Sequence, residues 1–323
     1  MLALVTGGNG FVGAAVVRAL LHAGVTVRVF LRPGSDRRNL VGLAVETVEG
    51  DLRDADAVMR AVDSCIQVYH VAAFYSANPA DAALLYAINV DGTQNLLQAA
   101  AAAGVERFVH TSTIGAIGRP ADPQQLPTED TPFNLEDRAS AYVLSKRQGE
   151  QLALAWAAQG KAPVVVVNPT APVGIGDWRP TATGARILAY LRGEMPSYLA
   201  GGINFCGVDD VARGHLLAAA HGQIGARYIL GHPAGNLDLA SFLALMQAAS
   251  GRPAPRSTLG WRVRLGAWLP RPAAPARAPT TDTRPAALTC SPARAVRELV
   301  WTPAPLLAAF QTAVAWYRDH RMI

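Results

Sequence analysis

Met1-Leu-Ala-Leu-Val-Thr6-Gly7-Gly8-Asn9-Gly10-Phe11-Val12-Gly13 opens the chain. An apolar run passes straight into a glycine turn and then, from Ala14 to Leu21, into an alanine-rich helical pattern. Strand, tight turn and helix in that order are what a dinucleotide pyrophosphate requires. The first glycine makes the turn, a later one lets the backbone approach the phosphates, and Gly13 lets the helix sit close to the strand. The helix N-terminus then aims its unpaired N–H groups at negative charge. Gly7, Gly10, Phe11, Val12 and Gly13 are therefore candidate cofactor contacts. Their spacing, Gly-x-x-Gly-x-x-Gly, departs from the G-x-G-x-x-G of ordinary dehydrogenases.

Working outward, the runs Thr26–Leu31, Ala44–Glu49, Ile66–His70, Arg107–Thr111 and Pro163–Asn168 read as further buried strands after Ala3–Thr6. Helical patterns at Phe11–Ala23, Ala55–Val62, Ala80–Ala103 and Ala139–Gln159 separate them. Strands without polar alternation, spaced by helices, predict a parallel sheet covered on both faces. The fold class is α/β: a Rossmann-type doubly wound parallel sheet with a smaller C-terminal substrate-binding domain. The expected boundaries are 1–168 for the nucleotide domain, with 203–231 returning to it. Residues 169–202 and 232–323 form the smaller domain, ending in a helix over Pro303–His320. The Pro/Ala-rich stretch 269–287 reads as a long loop or lid.

At 323 residues, half of them hydrophobic and 16% charged, the chain is globular rather than disordered. Its net charge of +5 is nearly all arginine, with no Lys/Arg run interleaved with aromatics, which argues against a nucleic-acid partner. Cys65, Cys206 and Cys290 are far apart and odd in number, fitting neither a disulfide framework nor a metal site. No basic leader precedes the first apolar run and no stretch is long enough to cross a bilayer, so a cytoplasmic location is expected.

The chemistry is carried by Tyr142-x-x-x-Lys146. Four-residue spacing on a helix puts phenol and ammonium on one face, and a neighbouring ammonium is expected to lower the phenol's pKa. Such a tyrosine exchanges a proton with a carbonyl or alcohol oxygen. Thr111-Ser112-Thr113 ends a buried strand in hydroxyls at the carboxyl edge, where open α/β sheets bind ligands.

With these features the chain resembles the extended short-chain dehydrogenases/reductases over nearly its whole length. The motifs run in family order: the opening glycine turn, Gly50-Asp51-Leu52, His70-Val71-Ala72-Ala73, Asn89-Val90-Asp91-Gly92-Thr93, Thr111-Ser112-Thr113, Tyr142-x-x-x-Lys146 and Asn168-Pro169. Val208-Asp209-Asp210-Val211-Ala212 and Glu298-Leu299-Val300-Trp301-Thr302-Pro303 look like its later landmarks. Within the family the chain is similar to the hopanoid-associated sugar epimerase group, beside the dihydroflavonol 4-reductases. Leu31 to Leu40, Asn168 to Gly174 and Gly214 to Leu217 carry that likeness.

The resemblance implies Tyr142 as acid/base, Lys146 on the nicotinamide ribose and Thr113 holding the reacting oxygen. It places Asp51 and Leu52 at the adenine, Ala72 and Ala73 along the middle of the cofactor and Pro169 near the nicotinamide. Asn89 is expected to be structural. Phe74, Thr113, Asn168 and Trp178 are the substrate-pocket candidates, and a homodimer is the family's habit.

Where NAD-preferring sites carry an acid, the second strand ends in Leu31-Arg32, with Arg37 and Arg38 close behind. Guanidinium groups suit a 2′-phosphate, which favours NADP over NAD. The leading reading is an NADPH-dependent reductase of a ketone or aldehyde. A sugar or nucleotide-sugar epimerase using the same triad is the alternative, and a non-catalytic NADP sensor a minor one. A nucleotide sugar would need cations such as Arg179, Arg186, Arg192, Arg256, Arg262 or Arg264. Ile114-Gly115 stands where the family's sugar 4,6-dehydratases carry Asp-Glu, which argues against dehydration.

Overall fold

The computed structural model describes residues 1–122, 124–255 and 287–323. Apart from Ala287, the expected lid at 269–287 lies outside them, as do Arg256, Arg262 and Arg264. The described strands are β1 (Leu2–Thr6), β2 (Thr26–Leu31), β3 (Glu46–Glu49), β4 (Gln67–His70), β5 (Arg107–Thr111), β6 (Val164–Pro169), β7 (Ala171–Val173), β8 (Ile203–Gly207), β9 (Arg227–Leu230) and β10 (Asn236–Leu237). The described α-helices are α1 (Phe11–His22), α2 (Ala55–Val62), α3 (Ala82–Tyr86), α4 (Gly92–Ala102), α5 (Ala141–Ala158), α6 (Ala182–Leu191), α7 (Val208–His221), α8 (Leu239–Ser250), α9 (Ala293–Glu298) and α10 (Leu306–Asp319).

Seven parallel strands form the main sheet in the order β3-β2-β1-β4-β5-β6-β9, the doubly wound topology. The order reverses between β1 and β4, so a crevice opens beyond their carboxyl ends. Val164 to Val167 show why the sheet is buried on both sides: four successive valines have no exposed face. Val16, Val17 and Leu20 of α1 pack with Val211 and Ala218 of α7 on one side of the sheet. Val58 of α2, Leu96 and Leu97 of α4 and Ala153 of α5 fill the other.

Of the stretch 203–231, Arg227–Leu230 lies in the main sheet, whereas Ile203–Gly207 joins a second sheet, β10-β8-β7. Packing decides this. Phe205 sits among Phe242 of α8 and Phe310 of α10, in a separate aromatic core. The terminal helix starts at Leu306 rather than at residue 303, because Pro305 is held extended ahead of it.

The single helix expected over 80–103 is instead jointed. A 3-10 turn at Pro79–Asp81 leads into α3, and a π turn at Ala87–Asp91 joins α3 to α4. The extra residue of such a turn re-aims side chains. Here Asn89 turns inward: its Oδ1 accepts the Phe74 N–H at 2.8 Å, and its amide donates to the Phe74 carbonyl and Ser145 Oγ, both at 3.0 Å. Asn89 thereby fastens the segment after β4 to α5. No described helix is long and apolar enough to cross a membrane.

Candidate active site

The glycine turn is shaped by close approach. Gly7 adopts φ +68°, and a Cβ there would lie 2.7 Å from the Ala72 Cα. At Gly13 a Cβ would lie 2.1 Å from the Gly7 carbonyl oxygen, so only glycine lets α1 sit this close. Gly10 caps α1 without a side-chain bond, leaving first-turn N–H groups for a ligand. They open onto a cleft of about 720 Å³. An anion-seeking helix end, a turn stripped of side chains and this volume fit a dinucleotide.

Thr6 sets the floor of the turn. Its hydroxyl accepts the Ala72 N–H at 3.2 Å and donates to His70 Nδ1 at 2.8 Å. His70 Nε2 then donates to Thr93 Oγ1 at 2.9 Å, and Thr93 donates to the Asn89 carbonyl at 2.8 Å. This order of donors goes with a neutral imidazole. Burial enforces it, with help from the Lys146 charge, lowering the His70 pKa to about 3.

Gly7, Gly10, Phe11, Val12, Gly13, Arg32, Asp51, Leu52, Ala72, Ala73 and Pro169 all line the cleft. Arg37 does not: it forms an ion pair with Glu49 on β3, a partner that local sequence gave no reason to expect. Arg38 grips Asp36 through two guanidinium nitrogens, and Arg53 grips Asp51 in the same way. Arg32 lies close enough to Asp51 to lower its pKa further, behind the larger effect of Arg53.

A clasp absent from the sequence reading spans this end of the cleft. Asn39 Nδ2 donates to the Gly176 carbonyl at 2.9 Å and to the Asn9 carbonyl at 3.2 Å. Beside it the Arg38 guanidinium lies 4.2 Å from the centre of the Trp178 ring. Trp178 in turn meets Trp316 of α10 and His320, which caps its C-terminus, edge-on at 4.9 and 4.6 Å. Trp178 thus lines the cleft beside the loop after β2. No local signal marks this union, since Asn39 and Gly176 stand 137 residues apart.

At the other end, Thr113, Tyr142, Lys146 and Phe74 line the same cleft. Thr113 Oγ1 accepts the Gly115 N–H at 3.2 Å, which leaves its own proton available to a bound oxygen. Tyr75, an exposed side chain, meets the Tyr142 ring edge-on at 4.9 Å. Lys146 is buried, and its Nζ donates to the Thr111 carbonyl at 2.6 Å. Burial lowers the Lys146 pKa to about 8, opposed by the Glu150 charge.

Two sequence expectations change here. The Tyr142 phenol is not lowered: burial pushes it up to about 12, and neighbouring Tyr75 adds to that. Desolvation outweighs any help from the ammonium, which is directed at Thr111. Asn168 is fully buried outside the cleft lining. Its amide donates to the Thr113 carbonyl at 3.1 Å and to Glu150 Oε2 at 2.7 Å. It sits behind the site rather than in it.

Comparison with known proteins agrees with this fold. A family model described as NAD dependent epimerase/dehydratase matches residues 3–231. A dihydroflavonol 4-reductase-like protein of Synechocystis is 40% identical over 328 residues, 98% of this chain and 94% of its own. Sterol demethylase protein B of Methylococcus capsulatus is 36% identical over 333 residues, 100% of both chains. The dTDP-glucose 4,6-dehydratase DesIV of Streptomyces venezuelae, solved with NAD and TYD bound, superposes with a TM-score of 0.80. It is 26% identical over 100% of this chain and 98% of its own. The chain belongs to the NAD-dependent epimerase/dehydratase family, the NAD(P)-dependent oxidoreductases and epimerases of the extended short-chain dehydrogenase type.

Proposed function

We propose that this protein reduces a ketone or aldehyde with NADPH. The observation that carries the reading is that Thr113, Tyr142 and Lys146 share one cleft with the glycine turn, beside the aromatic rings of Phe74 and Tyr75. The other described cations lining the cleft, Arg32 and Arg179, belong to the opposite end, near Asp51 and Asp36. Arg186 and Arg192 are engaged with main-chain carbonyls. Among the described residues that leaves Phe74 and Tyr75 beside Tyr142, with Arg186 near enough to Tyr75 to interact with it. We read this rim as better suited to an apolar, ring-containing carbonyl compound than to a sugar diphosphate. The names of the two full-length relatives, which refer to a dihydroflavonol and a sterol, support the same class.

A nicotinamide cofactor held along the glycine turn and beside Lys146 would supply the hydride. Thr113 donates a hydrogen bond to the substrate carbonyl oxygen and fixes its direction. Tyr142, held as a neutral phenol, gives that oxygen its proton as the alcohol forms. Lys146 keeps positive charge near the phenolate that results. Arg32, at the end of β2 with no acid in its place, is the residue to meet a 2′-phosphate.

Epimerization is the second reading, favoured by the clasp of Asn39 on Gly176, which suits a cofactor that is regenerated in place. Two measurements separate them. Purified protein is denatured and its released nucleotide identified, and NADPH consumption is followed against a panel of ring-containing ketones and aldehydes. Consumption of NADPH with one of them supports the proposal. Stoichiometric bound NAD⁺ with no NADPH consumption overturns it in favour of the epimerase.

A further inference from the structure

We infer that Glu150 is a positioning residue for this active site, fixing Thr113 through Asn168 and supporting the charge of Lys146. The inference rests on Tyr142, Lys146 and Thr113 being the reacting set. Residues 142, 146 and 150 follow one another at four-residue spacing along α5, so Glu150 stands one turn behind the lysine on the same face. Its side chain is 2% exposed, an unusual place for a carboxylate. Two contacts hold it there. Glu150 Oε2 accepts the Asn168 amide at 2.7 Å, and Oε1 meets Arg227 Nη1 at 2.7 Å.

The first contact reaches the chemistry directly. The Asn168 nitrogen bonded to Glu150 also donates to the Thr113 carbonyl at 3.1 Å. Helix α5, which carries Tyr142, is thereby bonded to the residue that carries the hydroxyl. A small error in the relative placement of proton donor and oxygen-binding group is costly in rate, about 10²-fold for 1 Å. Gly149, next in sequence, keeps the helix pressed inward, because a Cβ there would lie 2.5 Å from the Asn89 carbonyl oxygen.

The second role is electrostatic. Lys146 shares a helix face with Tyr142 and Glu150, and its charge reaches His70 on β4 and His110 on β5. Both imidazoles are buried and held neutral, so Glu150 is the negative charge that opposes the lysine's loss of water. Glu150 itself faces Arg227 of β9, whose guanidinium also donates to the Glu129 main-chain carbonyl. Glu129 in turn accepts the Ile229 N–H at 2.9 Å. A purely structural Glu150 would tie α5 to β9 and leave the titration of Lys146 unchanged.

The chain has only two lysines, Lys146 and Lys161, which makes the test direct. Protein labelled with ¹³C,¹⁵N-lysine gives two sets of side-chain resonances, assigned by Lys161→Arg and titrated without cofactor. Glu150→Gln preserves shape and the acceptor for Asn168 while removing charge. The expected result is a Lys146 midpoint below the wild-type value, with the alkaline limb of kcat/KM moving down with it. Glu150→Gln/Arg227→Gln removes both charges, and its Lys146 midpoint is expected to fall too, which covers the case in which an unpaired Arg227 prevents the single variant from folding. Asn168→Ala is expected to lower kcat about 10–100-fold, with NADPH affinity and the Lys146 midpoint unchanged. An unchanged Lys146 midpoint in both Glu150 variants, or an unchanged kcat in Asn168→Ala, overturns the inference. Tyr142→Phe is run alongside: if it stays active the catalytic reading itself has failed, whatever Glu150 does.

Discussion

Lys146 Nζ donates to the main-chain oxygen of Thr111 at 2.6 Å, binding the ammonium to the strand that leads into Thr113. The bond spends the lysine's proton on scaffold and leaves its charge for the cleft. Because burial lowers its pKa to about 8, the folded chain holds fewer protons than the unfolded chain between pH 8 and a lysine's ordinary value near 10.4. The sign follows. Lys146 destabilises the fold most below pH 8, and that cost is relieved as pH rises through the window. The melting temperature of wild type relative to Lys146→Met should therefore climb from pH 8 to pH 10. A difference that stays flat would show that Lys146 has an ordinary pKa.

Tyr142→Phe removes one oxygen from a side chain whose ring packs against Tyr75. Turnover should fall about 10²–10⁴-fold, with NADPH affinity and melting temperature nearly unchanged. Fluorescence titration and calorimetry check the last two. The phenol sits near pH 12, so no activity limb around neutrality should belong to Tyr142.

Arg32→Asp should exchange the cofactor preference. A charge-assisted hydrogen bond to a 2′-phosphate is worth about 1.5–3 kcal/mol, roughly 10–100-fold in affinity. The ratio of NADH to NADPH dissociation constants should move by that factor. Arg37→Asp should move it much less, since Arg37 is paired with Glu49.

Two alanine substitutions in one turn should behave very differently. At Gly13 the new methyl would sit 2.1 Å from the Gly7 oxygen, whereas at Gly10 its nearest neighbour is that same oxygen at 3.3 Å. Gly13→Ala should cost about 1–3 kcal/mol or more in urea denaturation and abolish cofactor binding. Gly10→Ala should fold normally and weaken the cofactor only through crowding of the phosphates.

The legible parts of the molecule were those whose causes are local. Strand, turn and helix from Leu2 to His22 are dictated by neighbours in sequence, whereas the four-residue spacing of Tyr142 and Lys146 is commonplace by itself and takes on meaning only beside the glycine turn and Thr111-Ser112-Thr113. Asn168 was misleading because a strand-end asparagine looks the same whether it faces ligand or scaffold. Its partners, Thr113 and Glu150, come from elsewhere in the chain. Arg37 failed for the same reason, with Glu49 brought alongside by β3. The jointed helix around Asn89 was hidden because the small and apolar residues flanking it fit a helix face either way, so the one-residue shift of the π turn leaves no mark in the pattern. Strand β8 reads like any buried strand, and only its aromatic neighbours send it to the second sheet.

The contact between Arg38 and Trp178 joins the nucleotide-binding fold to the terminal helix, since Trp178 leans on Trp316 and His320. Trp178 lines the cleft, so if a spent nucleotide leaves past this junction its departure is expected to be slower than the chemistry. In a rapid-mixing experiment a reductase built this way would consume one equivalent of NADPH per site in a burst, then settle to a slower steady rate. Trp178→Ala should raise the steady rate and leave the burst as it was. The far end of the polypeptide, which touches no reacting atom, would then set the tempo of the enzyme.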